Sequence, residues 1–366
     1  MTNTDVTPGA GPAQVVRWAR RRLTGGLAPI VGILAIICVA LAARQPDFFA
    51  PVSMLAFLKT AAPLIILAAG QYFVIVAGEF DLSMGSVVTM QVIVAGNLIG
   101  DDDAKVVPVL LLMLVLGALI GLINGLVTTL LKVPSFIVTL GMMLALFGLV
   151  MYWTGGAAQG NPADTFRQIG RGGIQDVPVF GVIPYPVVIL AVAAALGFWL
   201  MRRPYGRTLI AAGDNSAAAA LTGARVWWVR TRAFMLSSLA ATVSGILLVG
   251  YAGVHPSVGR GYEFTAITAV VLGGVVLGGG RGWLLSAAAG AFALESLFTL
   301  LNFLGVQSTW RDTVQGVIII VAVAAAARSW QRRRRGSALP ARAGQHRITA
   351  TSATPATGTE QGGHGY

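Results

Sequence analysis

Runs of roughly 20 apolar residues recur along this chain, and they narrow its possible folds more than any other feature. They fall near residues 27–43, 56–77, 84–100, 106–131, 134–153, 180–200, 231–253, 264–279, 283–303 and 311–327. About 20 helical residues, each rising ~1.5 Å, cross the ~30 Å hydrocarbon core of a bilayer. Helices of that length would satisfy their own backbone groups in lipid. Composition agrees: 55% of the residues are hydrophobic and 11% charged, against about 25% charged in soluble domains. The expected fold class is an all-α polytopic membrane protein with about ten transmembrane helices.

Charge sets the expected orientation. The net charge is +12, but the cations gather between the apolar runs rather than on one solvated face. With the N-terminus inside and each run crossing once, the inside segments hold Arg17, Arg20, Arg21, Arg22, Lys132, the cluster from Arg202 to Arg232, Arg281 and everything from Arg328 on. Outside fall the sparser Arg44, Lys59, Lys105, Arg167, Arg171, Arg260 and Arg311. Positive residues favour the cytoplasmic side, so both termini are expected there. The same rule explains the basic balance without nucleic acid, and the run RRRR at 332–335 suits anionic lipid beside a last span. The expected organisation is a largely disordered cytoplasmic segment 1–26, a transmembrane domain 27–327 containing a cytoplasmic loop 201–230, and a basic, disordered tail 328–366.

Little in the chain suggests catalysis. His255, His346 and His364 are scattered, and no metal-ligand spacing occurs. Cys38, the only cysteine, sits in an apolar run, where packing explains it. No phosphate-cradling G-x-x-x-x-G-K-[ST] is present. The chain is therefore not expected to be an enzyme or to bind a cofactor; if ATP drives it, another chain holds the ATP and Mg.

Two patterns suggest how the spans pack. Spans 2–5 and 7–10 form equal blocks separated by a single crossing, which gives them opposite orientation, the pseudo inverted repeat of many transporters. Gly117, Gly121 and Gly125 recur on one helix face, where small residues let helices approach closely. The run GGVVLGGGRG at 273–282 lacks a dinucleotide register and reads as tight helix packing.

Four stretches carry more than packing: AGEFDLSMGS (77–86), KVPSFIVTLGMM (132–143), YGRTLIAAGDNSAAAALTGARV (205–226) and YEFTAITAVVLGGVVLGGGRG (262–282). In order and spacing, across roughly residues 30–327, they resemble the permease subunits of ABC importers of the ribose/xylose/autoinducer-2 group. Two positions depart from that group: Ala217-Ala218-Ala219 stands where it has Glu-Ala-Ala, and Phe298-Thr299 where it often has Asn-Asn. The resemblance implies a ten-helix permease, paired with a second permease copy as a homo- or heterodimer. It also implies two cytoplasmic ATPase subunits and an extracytoplasmic sugar-binding protein as partners.

Individual residues follow from these readings. Asp81 is expected to cap the third span, with Gly78 and Gly85 allowing a tight reversal and Glu79 needing water, a backbone partner or a nearby arginine. Together with Ser83, these form a structural turn or a gating element. In the loop 201–230, Asp214, Asn215 or Ser216 can cap a short helix through Leu221 that Gly223 ends. Gly206, Arg207, Gly213, Asp214, Asn215, Ala218, Ala219, Leu221 and Gly223 are therefore the expected contact with the ATPase. Glu295, a charge in mid-span, should face the interior or a path, and Asn302 is placed with it. Asn161, Asp164, Arg167 and Arg171 lie in the long outside loop and are candidates for meeting the binding protein. Trp153 and Trp310 suit interfacial anchoring. The function expected is import of a monosaccharide as an ABC permease. The alternatives are a secondary transporter driven by an ion gradient and an ABC permease for nucleosides or branched-chain amino acids.

Overall fold

A computed structural model of the chain describes residues 28–157, 160–307 and 309–321. The expected segments 1–26 and 328–366 lie outside the described residues. The fold is helical: α1 Ala28–Arg44, α2 Pro51–Val76, α3 Met84–Ile99, α4 Val106–Leu130, α5 Ser135–Thr154, α6 Asp164–Arg171, α7 Tyr185–Arg202, α8 Pro204–Asp214, α9 Ser216–Leu221, α10 Val226–Ala252, α11 Tyr262–Leu272 and α12 Leu284–Phe303. A further helix, α13, runs over residues 310–321. The one sheet among the described residues is an antiparallel hairpin, β1 Gly173–Val177 with β2 Gly181–Pro184. Helices α2, α4, α5, α7, α10 and α12 are long and apolar enough to cross a membrane, and α1, α3 and α11 are shorter apolar helices.

The centre is a pair of long helices, α2 and α10, packed antiparallel. The Ser244 hydroxyl on α10 donates to the Pro63 carbonyl on α2 (2.9 Å). Gly70 of α2 lies so close to α10 that an added Cβ would meet the Ala240 methyl at 2.6 Å. Helix α4 closes on the other side of α10 through its stripe of small residues. A Cβ at Gly121 or Gly125 would come within 2.6 Å of the backbone at Met235 or Thr231, so the spacing does bring two helices into near backbone contact.

Each central helix is followed by an irregular link that turns back into the bundle before a shorter helix begins. After α2 this link is residues 77–83; after α10 it is residues 253–261. Asp81, in the first link, reaches Ser237, about 16 Å along α10 from its start at Val226. The second link comes back from the other end until the Gly259 N–H donates to the Thr89 hydroxyl in α3 (3.0 Å). The first turns of α3 and α11 therefore abut inside the bundle, and the two helices run to opposite ends. The pairing of α2 with α10 and of α3 with α11 is the inverted arrangement expected for spans 2–5 and 7–10.

One span is shorter than expected. The run 264–279 is helical only to Leu272, and residues 273–283 form a loop instead of packed helix. The sequence contains the reason: Gly274, Gly279, Gly280 and Gly282 all take positive φ, which glycine alone adopts freely. The long connection between α5 and α7 is ordered by α6 and the hairpin. Phe166 of α6 is fully buried, and Gly170 leaves room for α10 at Gly250. Thus α6 and the hairpin mark one end of the bundle, and α8 and α9 mark the other.

Candidate functional site

The link 77–83 is a hub at which all four singled-out stretches meet. Gly78 turns the chain with φ +83°, and the segment then runs extended beside α10. The Phe80 N–H donates to the Ser135 hydroxyl (3.1 Å), and the Thr139 hydroxyl reaches the Phe80 carbonyl (3.4 Å), tying in the stretch 132–143. Glu79 pairs with Arg230 at 2.8 Å; their side chains are only 12% and 23% exposed. The cation that Glu79 was expected to find is therefore on α10.

Asp81 is fully buried. Its Oδ1 accepts from the Ser83 N–H (2.9 Å) and hydroxyl (2.6 Å), and its Oδ2 accepts from the Ser237 hydroxyl (2.6 Å). The Asn124 amide donates in turn to the Ser83 hydroxyl (2.9 Å). These bonds offset much of the cost of burying a carboxylate. The expectation that Asp81 caps α3 needs correction: Ser83 occupies the N-cap position. Asp81 instead makes an Asx-type turn onto Ser83 and crosses to α10. Gly85 likewise does not serve a reversal. It lies within α3, where a Cβ would fall 2.5 Å from the Gly259 carbonyl oxygen, so its role is close approach.

The stretches 205–226 and 262–282 join at the same end. The Gly280 N–H donates to the carbonyl of Val76, the last residue of α2 (2.9 Å). A Cβ at Gly213 would overlap that same carbonyl oxygen at 1.8 Å, and one at Gly279 would lie 2.8 Å from both the Gly213 oxygen and the Gly78 Cα. Three glycines from three separate segments thus stack backbone to backbone. Asp214 faces Arg281 at 3.9 Å, an exposed pair that adds little.

Helix α9 forms as expected. Its N-cap is Asn215, whose Oδ1 accepts from the Ala218 N–H (3.0 Å). Gly223 follows the helix with φ +83°. Ala219 is buried against the bundle, while Ala218 is exposed and Leu221 is 90% exposed. Gly206 is buried where α8 leaves α7, and Arg207 points outward. Glu295 is half-buried on α12, and it forms no ion pair within 4 Å among the described residues. Asn302 is exposed in the last turn of α12, so the expectation of an interior position does not hold for it.

At the opposite end, Asp164 forms an ion pair with Arg171 and accepts from the Gln168 amide (3.1 Å). The Asn161 side chain lies 3.5 Å from the Arg167 guanidinium. These residues brace α6 and its approach, largely in solvent. The Gln168 hydrogen bond, followed by Arg171, holds the Asp164 carboxyl below its usual range.

Several members of the hub were not singled out in the sequence. Asn124, Ser237 and Arg230 are polar residues within apolar helices, and the reasoning applied to Glu295 would have found them. Glu263 was passed over in the same way. It lies in the first turn of α11 and is 6% exposed. No group of residues suited to hold a metal ion occurs among the described residues.

Residues 53–323 match the profile of a family described as branched-chain amino acid transport system / permease component. The chain is 32% identical over 300 residues to the ribose import permease protein of Haemophilus influenzae, covering 80% of this chain and 90% of that protein. It is 33% identical over 308 residues to the ribose import permease protein of Bacillus subtilis, covering 81% and 91%. It is 32% identical over 296 residues to the autoinducer 2 import system permease protein of Klebsiella pneumoniae, covering 80% and 84%. No solved structure matches the chain.

Proposed function

The chain belongs to the family of branched-chain amino acid transport system permease components, and on that premise we propose that it is the membrane-spanning subunit of an ATP-driven importer of a monosaccharide. The observation that carries this reading is the hub: segments from both halves of the bundle meet α8 at one end through glycine backbones that leave almost no slack, and only Asn215 separates α8 from α9. A push on α9 is thereby transmitted to residues 77–83 and 273–283, and through them to α3 and α11. The relatives named for ribose and autoinducer 2 favour a sugar over a branched-chain amino acid.

In this reading α9 docks on a separate ATPase subunit, which holds the ATP and Mg, with Ala218 and Leu221 at the contact. The end carrying α8 and α9 is cytoplasmic, as are both termini. The end carrying α6 and the hairpin receives sugar from an extracytoplasmic binding protein. Lipid and a second permease copy cover the exposed apolar faces of α4 and α5.

Reconstitution tests this. The purified chain alone should hydrolyse no ATP, and uptake into proteoliposomes should need the ATPase, ATP and the loaded binding protein. Uptake by the chain alone, driven by a proton gradient, would establish the secondary-transport alternative instead.

A further inference from the structure

The abutting first turns of α3 and α11 border a cavity that the coupling argument does not use. Its volume is about 300 Å³, and its lining includes Ser86 and Thr89 of α3, Phe147 of α5, and Arg260 and Glu263 at the start of α11. That size is at the lower end for small-molecule sites, about 300–1,000 Å³. A second cavity, toward α13, shares Arg260 and Glu263.

Glu263 is the unusual member. Its carboxylate is buried inside a membrane-spanning bundle, yet no cation lies within 4 Å among the described residues. One oxygen accepts a long bond from the Gly261 N–H (3.3 Å), and the other lies over Gly85, occupying the space a Cβ there would need. No side-chain donor meets it among the described residues. Asp81, by contrast, has three hydrogen bonds. Such a carboxylate retains acceptor capacity, and the positive ends of two short helices favour negative charge there. Beside it, the Ser86 hydroxyl has no protein partner among the described residues, the Arg260 guanidinium is exposed, and Phe147 offers a half-open ring.

We infer that this cavity is a station for a polyhydroxylated substrate on its way through the bundle. Glu263 accepts from adjacent hydroxyls, Ser86 and Arg260 donate, and the Phe147 ring lies along the apolar face. The inference rests on the monosaccharide reading and deepens it. A zwitterionic amino acid would also meet a carboxylate and a guanidinium, so L-leucine is the competing probe.

The experiment uses the complete complex of chain, ATPase and binding protein in proteoliposomes, with radiolabelled D-ribose as the probe. Glu263→Gln should lower the sugar moved per ATP hydrolysed by about tenfold, the loss expected when a charged acceptor becomes neutral. An unchanged ratio overturns the inference. If Glu263→Gln fails to assemble, Ser86→Cys in a Cys38→Ser background decides. A hydrophilic methanethiosulfonate should label it during turnover and block uptake; absence of labelling overturns the inference. Uptake of L-leucine dependent on Glu263 would also overturn it. Failure of the wild-type complex to take up D-ribose, D-xylose or D-glucose overturns instead the monosaccharide reading itself.

Discussion

Among single residues, Glu79 and Asp81 illustrate two ways of burying a carboxylate. Glu79 is neutralised by a cation, whereas Asp81 is held by hydroxyls and one backbone N–H. Glu79→Ala should therefore destabilise the protein by about 2 kcal/mol, between the values for exposed and fully buried pairs, because it leaves Arg230 without its anion. A thermal-unfolding cycle with Arg230→Ala measures this; additive effects would show that the pair contributes nothing. Ser237→Ala should cost ~1–3 kcal/mol, since it removes the only hydrogen bond that one oxygen of the buried Asp81 carboxylate makes among the described residues. The two carboxylates were legible in the sequence as anomalies beside apolar runs. Their partners were not, because Ser237 and Arg230 are more than 150 positions away and only packing brings them near.

At the scale of elements, the decisive pieces are the short ones. Helix α9 was legible in extent, since a polar cap and a terminal Gly223 are local signals, but which of Asp214, Asn215 and Ser216 caps it was left to the structure, where it is Asn215. Helix α11 was overestimated because hydropathy does not register that an apolar run with four glycines near its end is free to leave the helix after Leu272. Helix α6 was missed, as its stability comes from burying Phe166 rather than from an apolar pattern. Two glycines of the coupling region make contrasting predictions. Gly223 has positive φ but open space around it, so Gly223→Val should strain α9 while the chain still inserts, and uptake should fall with binding-protein-stimulated ATP hydrolysis. Gly213→Ala should be more damaging, because its Cβ would press on a carbonyl oxygen at the end of α2; loss of assembly in detergent is the expected readout. A bulky residue at exposed Ala218 should impair docking alone, whereas one at buried Ala219 should also disturb the fold. Wild-type uptake with either alanine enlarged would remove α9 from the coupling role. The Asp164 pair on α6 adds a pH dependence. A depressed carboxyl stabilises above its unfolded pKa, about 3.9, and that support is lost as pH falls through the lower folded value. Between pH 5 and 8 this group should therefore leave the stability of α6 unchanged, and a slope there in hydrogen exchange across α6 that Asp164→Asn abolishes would contradict the assignment.

For the whole molecule, the repeated plan was legible from the order of apolar runs, but the depth to which its links return was not. Hydropathy counts residues along a line, and residues 77–83 and 253–261 acquire their places only against helices distant along the chain. Orientation is open to a direct check. In a Cys38→Ser background, Asp164→Cys should react with a membrane-impermeant thiol reagent from outside, and Ser216→Cys only after permeabilisation. The reverse pattern would invert the assignment of the two ends. The meeting of α3 with α11 has a mechanical consequence. A continuous helix resists separation at every turn, because each turn carries its own hydrogen bonds. Where two helices meet at their first turns the contact is local, here Gly85 against Gly259 and Glu263, and the Thr89 hydroxyl with the Gly259 N–H. Parting them would break no helical hydrogen bond, only contacts of this local kind, so each helix would stay intact if the junction opened.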